Sequence, residues 1–289
     1  MNLFITGIDG FLGSRMAREF RGRGHVVTGS SPFGGAGIVR WRFGEPLNSS
    51  ALVGTDVMVH CAYDRDVSIE RNIEGTKTAA GAAQEAGAAR QIFISSYSAR
   101  PDATAAYGKI KYALETWFLN CGHAIVRPGL VIGPGGLFAK NMRRILRTPV
   151  IPLVDGGRDL LPLIDVDDFA AAMTVLVESS RPGAYNLFDE RLIPLRDLVD
   201  TINRAAGHRA VRCSLPLGLA DFLLRLSKRL GVPIPVDADN LRALKENQQP
   251  IHQSNLASLI PTHSPLEASI ERAVRDYLRK DRISPTGQN

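Results

Sequence analysis

The chain has 289 residues, 44% hydrophobic and 22% charged, with 27 Gly, 17 Pro and 3 Cys. This composition excludes a disordered chain, a collagen and a disulfide scaffold. Lys and Arg outnumber Asp and Glu by 35 to 29, and the resulting +6 suits anionic ligands without selecting one. At roughly 100–200 residues per domain the length allows one large or two modest domains. No run approaches the roughly 18–20 apolar residues of a membrane span. Residues 1–5 carry no basic leader or cleavage site, so the expected compartment is the cytoplasm, with no membrane partner. Cys61, Cys121 and Cys213 lack CxxC spacing and are expected as reduced thiols, with no metal site.

Short runs rich in Val and Ile alternate with longer helix-like segments through the first half, the pattern of βαβ units around a parallel sheet. Strands are predicted over 2–6, 25–30, 37–43, 57–62, 91–95 and 123–131, and helices over 11–23, 69–86 and 107–120. Gly133-Pro134-Gly135-Gly136 then breaks the chain, and a basic helix over 138–147 ends at Pro149 and Pro152. A helix over 167–179 and a strand over 184–188 return the chain to the first sheet. Three further helices follow, over 195–206, 217–230 and 266–279. The expected fold is α/β, a doubly wound parallel (Rossmann) sheet with a smaller, mostly helical C-terminal substrate domain. The dinucleotide-binding domain would span 1–135 and 156–188, the cap 136–155 and 189–280, with a frayed tail at 281–289.

Thr6-Gly7-Ile8-Asp9-Gly10-Phe11-Leu12-Gly13 follows the first strand and opens a helix. In that context Gly7 permits a tight turn, Gly10 lets backbone approach a pyrophosphate, and Gly13 allows close helix–strand packing beneath the helix N-terminus. A merely tight βα turn is the alternative. The second strand ends in Ser30-Ser31, offering neither the acidic residue that bonds the ribose of NAD nor an Arg for the 2′-phosphate of NADP. The cofactor is therefore NADP or NAD, with a lean to NADP. Arg15, Arg40 and Arg42 would lie nearby unless they are ordinary surface charges.

Tyr107 and Lys111 stand four apart at the start of a predicted helix, one turn apart on one face. A neighbouring ammonium favours the phenolate, and so brings a tyrosine toward general acid–base work. Eleven residues before Tyr107, the strand Ile92-Phe93-Ile94 runs into Ser95-Ser96 at the C-terminal end, where ligands of open α/β sheets bind. One of the two serines would hydrogen-bond the reacting carbonyl or hydroxyl.

The GxxGxxG spacing ending in Phe-Leu-Gly, together with the serine and the YxxxK pair, resembles the short-chain dehydrogenase/reductase superfamily. The likeness is to its extended branch of nucleotide-sugar epimerases and dehydratases. That resemblance implies Ser96, with Ser95 as the alternative, Tyr107 and Lys111 as catalytic groups, and Asn72 as a support in the helix after the fourth strand. It implies cofactor contacts from Gly7, Asp9, Gly10, Phe11, Leu12, Gly13, Ser30, Ser31, Cys61, Ala62, Tyr63, Tyr107 and Lys111. Pro128, Gly129 and Val131 would lie along the nicotinamide, and Asp165–Ala170 resembles a later segment of the family. The function implied is NAD(P)-dependent hydride exchange with a secondary alcohol or ketone, a nucleotide sugar among the candidates.

Two departures bear on substrate. The position of the family's diphosphate-gripping Arg is Leu161, with Arg158 three residues away, and an apolar side chain cannot pair with a phosphate. The connection from Ser96 to Tyr107 is short. Tyr97, Arg100, Lys140 and Arg143 join Arg158 as substrate candidates; the alternatives are a surface turn for the first two and a solvated helix face for Lys140, Arg143, Arg144 and Arg147. A non-catalytic dinucleotide sensor is the competing function. Nucleic-acid binding lacks any recognised module. The resemblance implies a homodimer formed through the helices over 69–86 and 107–120, both rich in Ala or apolar residues, although packing within one chain explains the same residues.

Overall fold

The computed structural model describes residues 1–88, 90–179, 181–220, 222 and 252–283. In chain order these form β1 (Asn2–Thr6), α1 (Phe11–Gly22), β2 (Val26–Ser31), β3 (Ile38–Arg40), β4 (Val57–His60), α2 (Ile69–Glu85), β5 (Arg90–Ile94), α3 (Ala106–Asn120) and β6 (Ala124–Pro128). They continue with β7 (Leu130–Ile132), α4 (Gly136–Arg147), β8 (Val150–Val154), β9 (Leu160–Leu161), β10 (Leu163–Asp165), α5 (Val166–Ser179) and β11 (Gly183–Leu187). The last are β12 (Ile193–Pro194), α6 (Leu195–Ala206), β13 (Val211–Leu215), α7 (Leu256–Leu259) and α8 (Leu266–Ile283).

Two compact units result. The first comprises Met1–Pro128, Val166–Leu187 and Ser254–Thr262. Its seven strands run in the order β11-β6-β5-β4-β1-β2-β3, every neighbouring pair parallel. This is the doubly wound sheet expected from the alternation of short apolar runs and helices. Side chains alternate across the pleat. Phe4 and Met58 pack with Ala79 and Ala83 of α2, and Phe93 and Ile125 with Ile110, Leu114 and Phe118 of α3. Helix α1 packs against α5. The Ser68 side chain caps α2 by accepting the Arg71 N–H, the local signal that starts a helix there.

The second unit comprises Gly129–Asp165, Phe188–Gln253 and His263–Asn289. Its described part holds the pairs β7–β10 and β8–β13, both parallel, and the antiparallel pair β9–β12. Phe138 and Met142 of α4, Leu198 and Ile202 of α6, and Ile270 and Val274 of α8 share one core.

The structure departs from the sequence reading in several places. The predicted strand over 123–131 is two strands broken at Gly129, because β6 pairs with β5 and β11 while β7 pairs with β10. A Cβ on Gly129 would lie 2.4 Å from the Pro162 carbonyl oxygen, so only glycine fits the break. Residues 129–135 and 156–165 consequently stand in the second unit, and 254–262 in the first, where Asn255 exchanges hydrogen bonds with the Asn186 backbone. Strand β3 stops at Arg40, since Trp41 and Phe43 turn into the core. Residues 281–283 continue α8 rather than fray. Most of the predicted helix over 217–230, and residues 284–289, lie outside the described residues.

Candidate active site

At the end of β1 the chain turns sharply. Gly7 has φ +69°, and its N–H and that of Ile8 donate to the Ser30 carbonyl at 2.8 and 3.1 Å. Thr6 Oγ1 accepts the N–H groups of Cys61 and Ala62 at 3.0 and 3.2 Å, which ties the ends of β1 and β4 together. A Cβ on Gly7 would meet Ala62 Cα at 3.1 Å, and one on Gly13 would sit 2.1 Å from the Gly7 oxygen. Thus Gly7 and Gly13 are demanded by close packing, while Asp9 and Gly10 stay exposed at the loop tip. Phe11 and Leu12 are half-buried in the first turn of α1, whose leading N–H groups have no partner within the helix. The Cys61 sulfur takes the Gly13 N–H, and burial pushes its thiol up to about 11.

At the end of β2, Ser30 is fully buried and its hydroxyl has no hydrogen-bond partner among the described residues, whereas Ser31 Oγ accepts the N–H groups of Phe33 and Gly34. Arg40 stands opposite Ser31 in register, and Arg42 Nε donates to the Pro32 carbonyl. Arg15 is ion-paired to Asp167.

Beyond β5 the structure separates the two serines. Ser95 Oγ is buried and donates to Glu115 Oε1 at 2.5 Å. Ser96 Oγ accepts the Ser98 N–H at 3.2 Å and shares a hydrogen bond with the Tyr107 hydroxyl. Lys111, one turn further along α3, is buried, donates from Nζ to the Ile94 carbonyl at 2.8 Å, and lies 5.7 Å from the centre of the Tyr107 ring. Tyr63 packs edge-on to Tyr107 at 5.1 Å, and Lys111 also stands over the Tyr63 ring. Ser96, Tyr107, Lys111, Cys61 and Tyr63 therefore form one cluster.

Loss of water sets the electrostatics. Contrary to the lowering expected from the Lys111 ammonium, desolvation pushes the Tyr107 phenol up to about 12 although 38% of the residue remains open, and the Ser96 hydrogen bond and the charge of Arg65 offset only part of the rise. Burial pulls Lys111 down to about 8, opposed by Cys61 and Glu115. At neutral pH the tyrosine is a proton donor and the lysine still carries its charge.

Other expected residues take different places. Asn72 is buried with its amide engaged by one loop: Oδ1 accepts the Asp64 N–H, and Nδ2 donates to the Asp64 and Ser68 carbonyls. It holds the stretch that follows Tyr63. Tyr97 and Arg100 are buried rather than on a surface turn, and Arg100 grips Asp102 with two donors. Tyr97 N–H donates to the Pro128 carbonyl. Gly129 and Val131 belong to the second unit, as do Lys140, Arg143 and Arg158, which are exposed there. Leu161 packs against the core of that unit. Thr6 and Glu115 carried no role in the sequence reading, although Glu115 stands at i+4 from Lys111, a spacing that places both on one helix face.

Comparison with known proteins agrees with this architecture. The solved structure of gox2253 is 23% identical, matches over 97% of this chain and 98% of its own, and superposes with a TM-score of 0.76. A UDP-glucose 4-epimerase from Thermotoga maritima is 17% identical over 98% of this chain and 100% of its own, with a TM-score of 0.72. An uncharacterised protein of Mycobacterium tuberculosis, Rv2047c, is 32% identical over 103 residues; these are 33% of this chain and only 12% of that much longer protein. The model of the NAD dependent epimerase/dehydratase family matches residues 3–187, which include the glycine turn and the Ser96, Tyr107 and Lys111 cluster, and the chain belongs to that family.

Proposed function

We propose that this chain is a dinucleotide-dependent oxidoreductase that exchanges hydride with a secondary alcohol or ketone and works as a carbonyl reductase at neutral pH. The observation that carries the reading is the convergence of Ser96, Tyr107 and Lys111, with Tyr107 bonded to Ser96 and the Lys111 ammonium beside the Tyr107 ring. Ser96 Oγ donates to the substrate oxygen. Tyr107 gives that oxygen its proton. Lys111, anchored on the Ile94 carbonyl, stabilises the phenolate left behind. A protonated Tyr107 next to a charged Lys111 is the pair that reduction needs at the outset.

The family implies a dinucleotide, and the residues present fit one. Gly7 and Gly13 leave no room for side chains at the turn, the Ser30 hydroxyl is buried without a partner among the described residues, and no carboxylate directly follows β2. Backbone at Gly7, Gly10, Phe11, Leu12 and Gly13 would hold the pyrophosphate. Ser30, with Arg40 and Arg42 behind it, would hold the adenosine ribose, which favours NADP over NAD. Cys61, Ala62, Tyr63 and Lys111 would flank the remaining ribose. When bound, the dinucleotide supplies or accepts hydride at the reacting carbon.

On substrate, the apolar, half-buried Leu161, packed against the second unit's core, offers no diphosphate grip at that position. Simple ketones are the first class to test, with nucleotide sugars, the substrates named for the epimerase that shares this fold, as the second.

Fluorescence titration with NADPH and NADH, followed by a cofactor-oxidation screen over both substrate classes, tests the proposal. Tyr107→Phe is expected to lower turnover by about 10²–10⁴-fold while leaving dinucleotide affinity within about twofold. Retained turnover would remove Tyr107 from the mechanism. Binding of NAD about tenfold tighter than NADP would reverse the cofactor preference.

A further inference from the structure

We propose that Glu115 is a positioning residue for the Ser96–Tyr107–Lys111 cluster, acting on Ser96 through the Ser95 hydroxyl and on Lys111 through its charge. The role rests on the reading of that cluster as a proton-transfer site.

The geometry begins with spacing. Lys111 and Glu115 are one turn apart on α3, and both are buried, at 4% and 1% exposure. Each grips the end of β5. Lys111 Nζ donates to the Ile94 carbonyl at 2.8 Å, and Ser95 Oγ donates to Glu115 Oε1 at 2.5 Å. On the other side the Ser95 N–H donates to the Val126 carbonyl at 2.7 Å. Residues 94 and 95 are thus fixed at three points immediately before Ser96. The peptide that aims Ser96 at Tyr107 cannot rotate unless one of these bonds breaks.

Glu115 is itself held. Arg127 Nε donates to Oε1 at 2.8 Å and its terminal nitrogen to Oε2 at 2.7 Å, a bidentate pair. A second nitrogen of Arg127 donates to Asn186 Oδ1 at 3.4 Å. Burial pushes the Glu115 carboxyl up, and the bonds from Arg127 and Ser95 oppose that push.

An apolar pair would hold α3 to β6 without the desolvation cost of two charges, so a buried ion pair is weak evidence of stability alone. The charge has another addressee. The groups facing Lys111 are Cys61 after β4, the rings of Tyr63 and Phe93, Tyr107 one turn before it and Glu115 one turn after it. Cys61 is a neutral thiol, pushed up to about 11. Beside the contribution of Cys61, Glu115 is therefore the carboxylate, one turn along α3, that favours the ammonium form of Lys111 in a desolvated position. Arg127 engages both carboxylate oxygens, so Glu115 exerts that field without drawing Lys111 away from Ile94.

The test uses full-length protein, two variants and a readout independent of turnover. Trace acetylation by acetic anhydride, read by mass spectrometry across about pH 6–10 in the absence of dinucleotide, reports how Lys111 titrates. Glu115→Gln is expected to make Lys111 about tenfold more reactive at neutral pH, and to move the alkaline fall of kcat to lower pH. Ser95→Ala is expected to leave the Lys111 profile unchanged and to lower kcat about tenfold, with dinucleotide KM unchanged, because only the aim of Ser96 is loosened. Should Glu115→Gln leave Arg127 buried alone and fail to fold, the double variant with Arg127→Gln removes the same carboxylate without a lone charge. A wild-type Lys111 profile without Glu115, or full kcat in Ser95→Ala, overturns the corresponding half of the proposal. If Tyr107→Phe is inactive and these variants behave as wild type, the Glu115 role fails and the proton-transfer reading stands. If Tyr107→Phe stays active, it is the proton-transfer reading that fails.

Discussion

At the scale of single residues, Ser95 and Ser96 look equivalent in sequence, both small and polar at the end of one strand. Strand geometry separates them, since successive side chains point to opposite faces: Ser95 Oγ goes to Glu115 and Ser96 Oγ to Tyr107. The glycines were legible because their physical demand is local. Gly13 makes the sharpest demand, with the Gly7 oxygen where its Cβ would be. Gly13→Ala is expected to cost about 1–3 kcal/mol and to weaken dinucleotide binding together with stability. Urea unfolding and the fluorescence titration measure both, and an unchanged urea midpoint would mean that the turn relaxes freely.

At the scale of elements, β4 and β5 are joined by a polar contact inside the core. His60 is buried, and its Nε2 lies 2.7 Å from Gln91 Oε1, while Gln91 Nε2 donates to the Ala80 carbonyl of α2. Desolvation lowers His60 from 6.5 to about 4, so the folded chain keeps it neutral where the unfolded chain would protonate it. Between those two values the unfolded state binds more protons, and stability must fall as pH drops through this window. The urea midpoint is expected to decline from neutral pH toward pH 4 in the wild type. It should decline less steeply in His60→Asn, which keeps a donor for Gln91. Equal slopes would mean that other groups govern the acid limb. The strands of the seven-stranded sheet and the helices beside them were readable, because hydrophobic periodicity and the glycine stops are local signals, whereas the short strands β8, β9, β10, β12 and β13 of the second unit were not predicted. The division of 123–131 into β6 and β7 was not, since it depends on which distant strand each half finds.

At the scale of the whole molecule, the chain passes between its two units repeatedly, and residues 254–262 return to the first unit late. The Ala-rich α2 buries Ala79, Ala80, Ala82 and Ala83 within its own unit, and α3 buries Ile110, Leu114 and Phe118. Packing within one chain thus accounts for much of the composition that suggested pairing. Exposed Leu119 and Thr116 remain on the outer side of α3. Homodimer formation through α2 and α3 predicts a two-chain mass by size-exclusion chromatography with light scattering, and a one-chain mass at micromolar concentration would end that expectation.

The sequence by itself determined the glycine turn, the alternation of strands and helices, and the YxxxK pair, because each depends on residues a few positions apart and on backbone sterics. Only the tertiary structure decided which serine faces the tyrosine, that Tyr97 and Arg100 are buried, and that Glu115 joins Ser95 and Arg127 beside Lys111. Those facts depend on chain segments far apart in sequence meeting across a sheet, where loss of water gives buried charges an influence that no local pattern records.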